Sequence, residues 1–186
     1  MRERVLDAAE RMVQERGLGA VSFQQLADAV GLSKPSIFHH FANKEALARA
    51  LVARCQTKYG PEYGEVVEAD LAAPDKLRGI AAIFENGLRD NRLCLLGALG
   101  QSAPMLSEAV QKDLQHSVAR SIERYAEVFE QGTREQSLRF EGTASDAAAA
   151  FLALLEGLQV LARARGDHAL FGRAAQSYIE SITVPT

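Results

Sequence analysis

The sequence predicts an all-α protein of about nine helices. Three observations carry this expectation. Apolar residues recur every three or four positions along most of the 186 residues. Helix-start signals, a serine or asparagine before a polar or proline-containing first turn, punctuate that periodicity. No segment alternates polar and apolar residues with period two, and there is no internal repeat or low-complexity tract.

Taken in order, Val5, Ala8, Ala9, Met12 and Val13 form the apolar face of a first helix, stopped by Gly17 and Gly19. Ser22 followed by Gln25 has the form of a capping box. A second helix therefore runs from about Phe23 to Val30 and buries Leu26, Ala27 and Val30. Val30-Gly31-Leu32 is a tight turn. Ser33 then stands before Lys34 and Pro35, a cap followed by a proline in the first turn. This third helix runs from about Lys34 to His40 and buries Ile37 and Phe41. Asn43 opens a fourth helix, with Glu45 against the positive end of its dipole. Leu47 and Leu51 are its buried residues, and Gly60-Pro61 breaks or kinks it.

Longer helices follow. Ala73-Pro74-Asp75 starts one that runs to about Asp90, and a short one spans about Leu93 to Gln101. Pro104 starts a long helix with Leu106, Val110, Leu114, Val118, Ile122, Tyr125 and Phe129 on one side. Ser137 to Thr143 is a loop. A helix from about Ala144 to Arg165 ends at Gly166-Asp167. The last spans about His168 to Ile182, with Leu170, Phe171, Ala174, Ala175, Tyr178, Ile179 and Ile182 at helical spacing.

The hydrophobic content of 47% is enough for a real core. The charge is uneven: residues 1–57 hold 8 Lys/Arg against 6 Asp/Glu, and the remainder 13 against 18. A slightly basic head on an acidic body favours nucleic-acid binding by the head. Cys55 and Cys94 form no CxxC pattern and read as reduced thiols. The N-terminus begins a charged amphipathic helix without the apolar core of a signal peptide. The most apolar run, Ala147 to Leu155, is shorter than a bilayer span and ends at Glu156. These features predict a soluble, cytoplasmic chain with no membrane partner.

Two short helices joined by a glycine turn have the form of a helix-turn-helix. The second helix of that motif places its N-terminal residues against base edges. Here these are Ser33, Lys34, Pro35 and Ser36. Lys34 reaches guanine acceptors or a phosphate, Ser36 bonds either, and Pro35 offers an apolar contact to a thymine methyl. His39 and His40 follow one turn on. Lys44 and the first amides of the fourth helix suit a phosphate. Arg2 and Arg4 are within reach of the DNA backbone. Packing is the competing role for Phe38 and His40, and ordinary solvation for Lys44, Arg2 and Arg4.

Residues from about Val5 to Val52 resemble the DNA-binding domain of the TetR family of repressors. The resemblance rests on Val5-Leu-Asp-Ala-Ala, on Gly17, on Ser22-Phe-Gln-Gln-Leu-Ala, and above all on Gly31-Leu-Ser-Lys-Pro-Ser-Ile-Phe-His-His-Phe-Ala-Asn-Lys-Glu-Ala-Leu. It implies a three-helix DNA-binding domain in residues 1–50 and a helical effector-binding and dimerisation domain in residues 51–186. It further implies a dimeric, ligand-responsive repressor on a pseudo-palindromic operator. Lys34, Pro35, Ser36, Phe38, His39 and His40 fall on the recognition helix. Gln24 falls at the start of the second helix, and Lys44 on the phosphate-binding lysine. Phe38 stands where a tyrosine is common, and a phenylalanine has no hydroxyl to give a phosphate.

The resemblance also implies a small-molecule effector and a second subunit for the body. Ala147 to Ala162 is apolar nearly all round, as a helix buried on every side must be. With the last helix it forms the expected dimer interface, through Phe151, Leu154, Leu158, Leu161, Phe171, Ala175 and Tyr178; a central core helix of a monomer has the same pattern. Effector candidates are Phe84, Leu88, Cys94, Leu95, Met105, Tyr125, Phe129 and Phe151, an apolar and aromatic set that points to a hydrophobic or aromatic molecule. Cys94, close to Arg92, offers a second reading, thiol redox sensing. A helical enzyme or lipid-binding protein with an incidental resemblance is a third. No nucleophile motif, phosphate loop or metal spacing appears among His39, His40, His116 and His168, so neither catalysis nor a cofactor is expected.

Overall fold

The capping signals produce the helices they announce. In the computed structural model, which describes residues 1–185, α1 spans Arg2–Arg16, and Gly17 leaves it at φ 81°. A 3-10 turn at Leu18–Ala20 leads into α2, Phe23–Val30. The Ser22/Gln25 capping box is formed from both sides. Gly31, at φ 69° and ψ 37°, ends α2 in the left-handed conformation that glycine adopts without a Cβ penalty. α3, Lys34–His40, is capped by Ser33, and α4, Lys44–Arg54, by Asn43, whose Oδ1 accepts from the Ala46 amide at 2.8 Å.

Gly60-Pro61, expected to break or kink the fourth helix, marks a change of helical register and not a loop. Cys55–Tyr59 widens into a π turn, and α5, Gly60–Glu68, continues from it. Pro61 has no N–H for the carbonyl one turn back, and a widened turn absorbs the lost bond. α6 is Ala73–Arg89 and α7 is Leu95–Gly100. Pro104 starts no long helix. It lies in a 3-10 turn, Ala103–Met105, and α8 begins later, at Glu108, and runs to Arg134. Ser107 is its cap, accepting from the Val110 amide at 3.4 Å. α9, Ala144–Arg165, is capped by Thr143, and α10 is Ala169–Ile182. With α4 and α5 taken as one helical run through the π turn, the described residues form nine helices.

The chain divides into two compact units. The first joins Met1–Tyr59 to Arg92–Val118. Its core is built by α1 to α4, α7 and the start of α8, with Val5, Ala9, Val13, Leu26, Ile37, Leu47, Leu51, Leu99 and Val110 fully buried. Ile37 and Phe41 are both inside, as their spacing predicts. Within this core Glu10 is a buried carboxylate on a helix whose charges read as solvated. It survives because it is paired: Arg54 Nε lies 2.8 Å and Lys58 Nζ 2.7 Å away, and the Tyr59 hydroxyl donates to it. Burial, reinforced by that carboxylate, holds the Tyr59 phenol well above its ordinary pKa.

The second unit joins Gly60–Asn91 to the chain from Ala119 onward. Here α5, α6, the later turns of α8, α9 and α10 bury Leu77, Ile80, Phe84, Leu88, Phe129, Phe151, Leu155, Phe171 and Ile179. α9 is longer than the Ala147–Leu155 run implies: by length and composition Ala144–Arg165 is long and apolar enough to cross a membrane. It serves as a core helix of this unit, with Phe151, Leu155 and Ala162 fully buried and Gln159 Nε2 donating to the Phe84 carbonyl at 2.8 Å. The loop after α8 is fastened to the end of α10 by Arg139 N–H to Ile182 O at 2.7 Å and Val184 N–H to Ser137 O at 2.9 Å.

Candidate nucleic-acid interface

Burial of Ile37 fixes which side of α3 faces outward. Ser33, Lys34, Pro35, Phe38 and His39 are exposed, and Ser36 and His40 half-buried. The proline and the Ser33 cap start the helix abruptly, so its first turn projects side chains instead of trailing into a loop. The two hydroxyls at this end face each other, Ser33 Oγ and Ser36 Oγ being 2.9 Å apart. Phe38 is 46% exposed and rests its ring on Phe23, centroids 4.8 Å apart. Packing and exposure are thus both present at Phe38. The rings of His39 and His40 meet edge to face at 5.6 Å.

The neighbouring helices frame this surface. Gln24 is exposed on the first turn of α2, its amide donating to Asp28 Oδ1 at 2.8 Å. Lys44 is exposed at the start of α4, where its ammonium donates to the Gly19 carbonyl at 3.1 Å. The first-turn amides of Lys44 and Glu45 have no carbonyl inside the helix to bind. Arg4 does not point away from the protein: its guanidinium donates to the Val30 carbonyl at 3.3 Å, against the negative end of α2. Arg2 lies over the Phe41 ring at 4.8 Å.

The expected effector residues divide between the two units. Cys94, Leu95 and Met105 belong to the first unit, and Met105 is 71% exposed in its 3-10 turn. Phe84, Leu88, Tyr125, Phe129 and Phe151 belong to the second. There four of them join an aromatic network through Tyr63, whose ring lies 6.0 Å from Phe84 and 5.8 Å from Tyr125. Tyr125 and Phe129 in turn meet Phe151, at 6.5 and 6.1 Å. Tyr63 escapes sequence reading because it follows Gly60-Pro61, which reads as a break.

The expected dimer residues divide too. Phe151, Leu158, Phe171 and Ala175 are consumed by the core of their own unit and leave no surface to offer. Leu161 is 55% exposed, and Leu154 and Tyr178 half-buried. The outward stripe of α9 is instead Ala150, Ala153, Gly157, Val160 and Leu161, apolar and small at helical spacing. An all-round apolar helix does not disclose which of its faces is spare; the burial pattern does.

The family described as bacterial regulatory proteins, tetR family, matches residues 5–51, the region of this surface. The chain is 32% identical over 85 residues to the HTH-type transcriptional repressor KstR2 of Mycobacterium tuberculosis, and 30% over 67 residues to the HTH-type transcriptional regulator UidR of Escherichia coli. These matches span 45% and 36% of this chain, and less than half of each relative, 42% and 34%. Solved structures extend the likeness to the remainder. A TetR family transcriptional regulator from Agrobacterium tumefaciens superposes with TM-score 0.91 at 26% identity, covering 98% of this chain and 97% of that one. A TetR transcriptional regulator from Legionella pneumophila does so with TM-score 0.82 at 26% identity, covering 97% and 96%. Residues 5–51 thus carry the helix-turn-helix segment of the tetR family, and the chain over its whole length is similar in fold to TetR-family transcriptional regulators of known structure.

Proposed function

We propose that this chain is a homodimeric, cytoplasmic repressor, not an enzyme, that grips a pseudo-palindromic operator and is released by a small apolar or aromatic effector. The observation that carries the reading is the outward face of α3, with Lys34, Pro35, Ser36 and His39 presented beside Lys44 at the start of α4. In this reading residues 1–50 read DNA, and residues 51–186 serve the effector and the second subunit. Lys34 and Ser36 address base edges, with Ser33, Pro35, His39 and His40 completing the recognition helix. Gln24 and Lys44 bind phosphate, and Phe38 packs against the sugar. The stripe Ala150, Ala153, Gly157, Val160 and Leu161 meets its twin across a two-fold axis, since small residues let helices approach closely. Each recognition helix then enters one major groove, a whole number of helical turns from the other. The aromatic network of Phe84, Tyr125, Phe129 and Phe151, with Tyr63, supports an aromatic effector, which acts only through a different affinity for two arrangements of the dimer.

The test is a salt titration of operator binding. Lys44→Ala weakens binding to all sequences and lowers the salt slope by about one per subunit; an unchanged slope removes Lys44 from the phosphate contacts. Lys34→Ala or Ser36→Ala changes the preferred operator sequence, and uniform weakening across operators removes them from base reading.

A further inference from the structure

We propose that Cys55 and Cys94 form a dithiol that closes to an intramolecular disulfide under peroxide and so alters the grip of the helix-turn-helix on DNA. The consequence for DNA rests on the repressor reading above; the disulfide itself does not.

Both cysteines are reduced, both are half-buried in the first unit, and both pack against the same core. Gln14 on α1 brings their segments together. Its main-chain carbonyl accepts from the Leu93 amide at 3.2 Å, one residue before Cys94. Its side-chain amide donates to the Tyr59 oxygen at 3.2 Å, one helical turn beyond Cys55. The same proximity is felt electrostatically: the Arg92 charge acts on the Tyr59 phenol, and a charge on Cys94 acts on the Cys55 sulfur. Cys55 is also the first residue of the π turn, where the helix holds one residue more per turn than it needs.

The two thiols divide the chemistry. Burial, and secondarily the charges of Cys94 and Glu10, hold the Cys55 thiol far above its ordinary pKa, and its S–H points at the Leu51 carbonyl 3.5 Å away. Cys55 is therefore the resolving thiol and Cys94 the attacking one. The Cys94 thiolate attacks a peroxide oxygen; the O–O bond breaks, the distal oxygen leaves as water or alcohol with a proton, and Cys94 becomes a sulfenic acid. The Cys55 sulfur then attacks the Cys94 sulfur. The S–O bond breaks, hydroxide leaves with the Cys55 proton as water, and the S–S bond forms. Two thiols lose two electrons, and the peroxide gains them. The bond ties the C-terminal end of α4, the helix that Asn43 caps and Lys44 opens, to the start of α7.

Trypsin makes the test direct. Cleavage at Arg54, Lys58, Arg92 and Lys112 releases Cys55–Lys58 and Leu93–Lys112 as separate peptides. After hydrogen peroxide, non-reducing mass spectrometry of the monomeric full chain finds the two joined, and dithiothreitol parts them. In Cys55→Ser a dimedone-trappable sulfenic acid accumulates on Cys94, and in Cys94→Ser no cross-link forms. Operator affinity changes by roughly tenfold or more on oxidation, reversibly, in the parent chain alone. Two intact thiols after peroxide, or cross-links between chains only, overturn the dithiol. A complete internal cross-link with unchanged operator affinity overturns the switch. A reduced chain that binds no operator at all defeats the repressor reading and leaves the peptide map to decide the dithiol.

Discussion

The two units are held together by different means. In the first, short helices of seven to eleven residues, α2, α3 and α4, each start at a side-chain cap, Ser22, Ser33 and Asn43. In the second, α9 keeps such a cap in Thr143, but α6 and α10 start without one, as the longer α1 does in the first, and are held by bulk, above all by the ring network from Tyr63 through Tyr125 and Phe151 to Tyr178. Short helices are marginal alone, so local signals must specify where each begins. Long helices need only enough apolar surface in roughly the right place, and many sequences supply that. The relatives divide along the same line. The family model matches residues 5–51, within the head, while the fold persists over 98% of the chain at 26% identity. The head is written in specific residues, and the body in volume.

The sharpest way to break this contrast is at the centre of the ring network. Phe151 is fully buried and touches Tyr125, Phe129 and Tyr178. Phe151→Ala costs about 3–5 kcal/mol in denaturant-induced unfolding. A loss below about 1 kcal/mol would mean that the body repacks freely and that volume is not what holds it.

Gly132→Ala is next. On propensity alone the change gains about 1 kcal/mol in a helix. A Cβ at Gly132 runs into Leu138, meeting its Cβ at 2.8 Å, so a side-chain rotation gives no relief. Leu138 is itself fixed by the bridge to Thr183. Overpacking at about 1–3 kcal/mol therefore wins, and the variant melts lower than the parent.

In the head, Ser22→Ala removes one side of the capping box and costs about 1 kcal/mol. That loss exceeds the effect of His168→Ala at the start of α10, where the exposed His168 makes no cap bond. The comparison fails if Ser22→Ala is silent in thermal unfolding.

The smallest effect is electrostatic. Arg173, 3.0 Å away, holds the Asp167 carboxyl below its ordinary range, helped by the Leu170 amide. A depressed carboxyl contributes stability that is present above its unfolded pKa and lost as pH falls through the folded one. Asp167→Asn therefore narrows the difference between neutral and acid stability slightly, because the pair is exposed and screened by solvent. An unchanged acid titration removes Asp167 from that balance.

How much was legible follows from the same contrast. α2, α3 and α9 begin and end within a residue of expectation, because Ser22, Ser33, Gly31 and Gly166 act on their own neighbours. Pro61 marked an interruption without its kind and Pro104 misled, since a proline excludes one hydrogen bond and does not say whether a π turn, a 3-10 turn or an end replaces it. The outward residues of α3 were legible for the same local reason: once Ile37 and Phe41 are inside, the rest of a seven-residue helix has one way to face. The body's site residues were not. Apolar periodicity marks a helix as buried without saying against what, so Phe84 and Met105 looked alike in sequence and differ entirely in exposure, 3% against 71%.

The Phe38 ring has a practical corollary in spectroscopy. The chain contains no tryptophan. Phe38 is exposed on the recognition helix and seated on Phe23, so Phe38→Trp puts the sole indole of the protein there, on a ring platform that already accepts an aromatic. Its emission, selectively excited away from the four tyrosines, reports the polarity at one turn of α3 and nowhere else. Wetting of α3, its burial against a duplex and its release then become three colours of a single fluorophore.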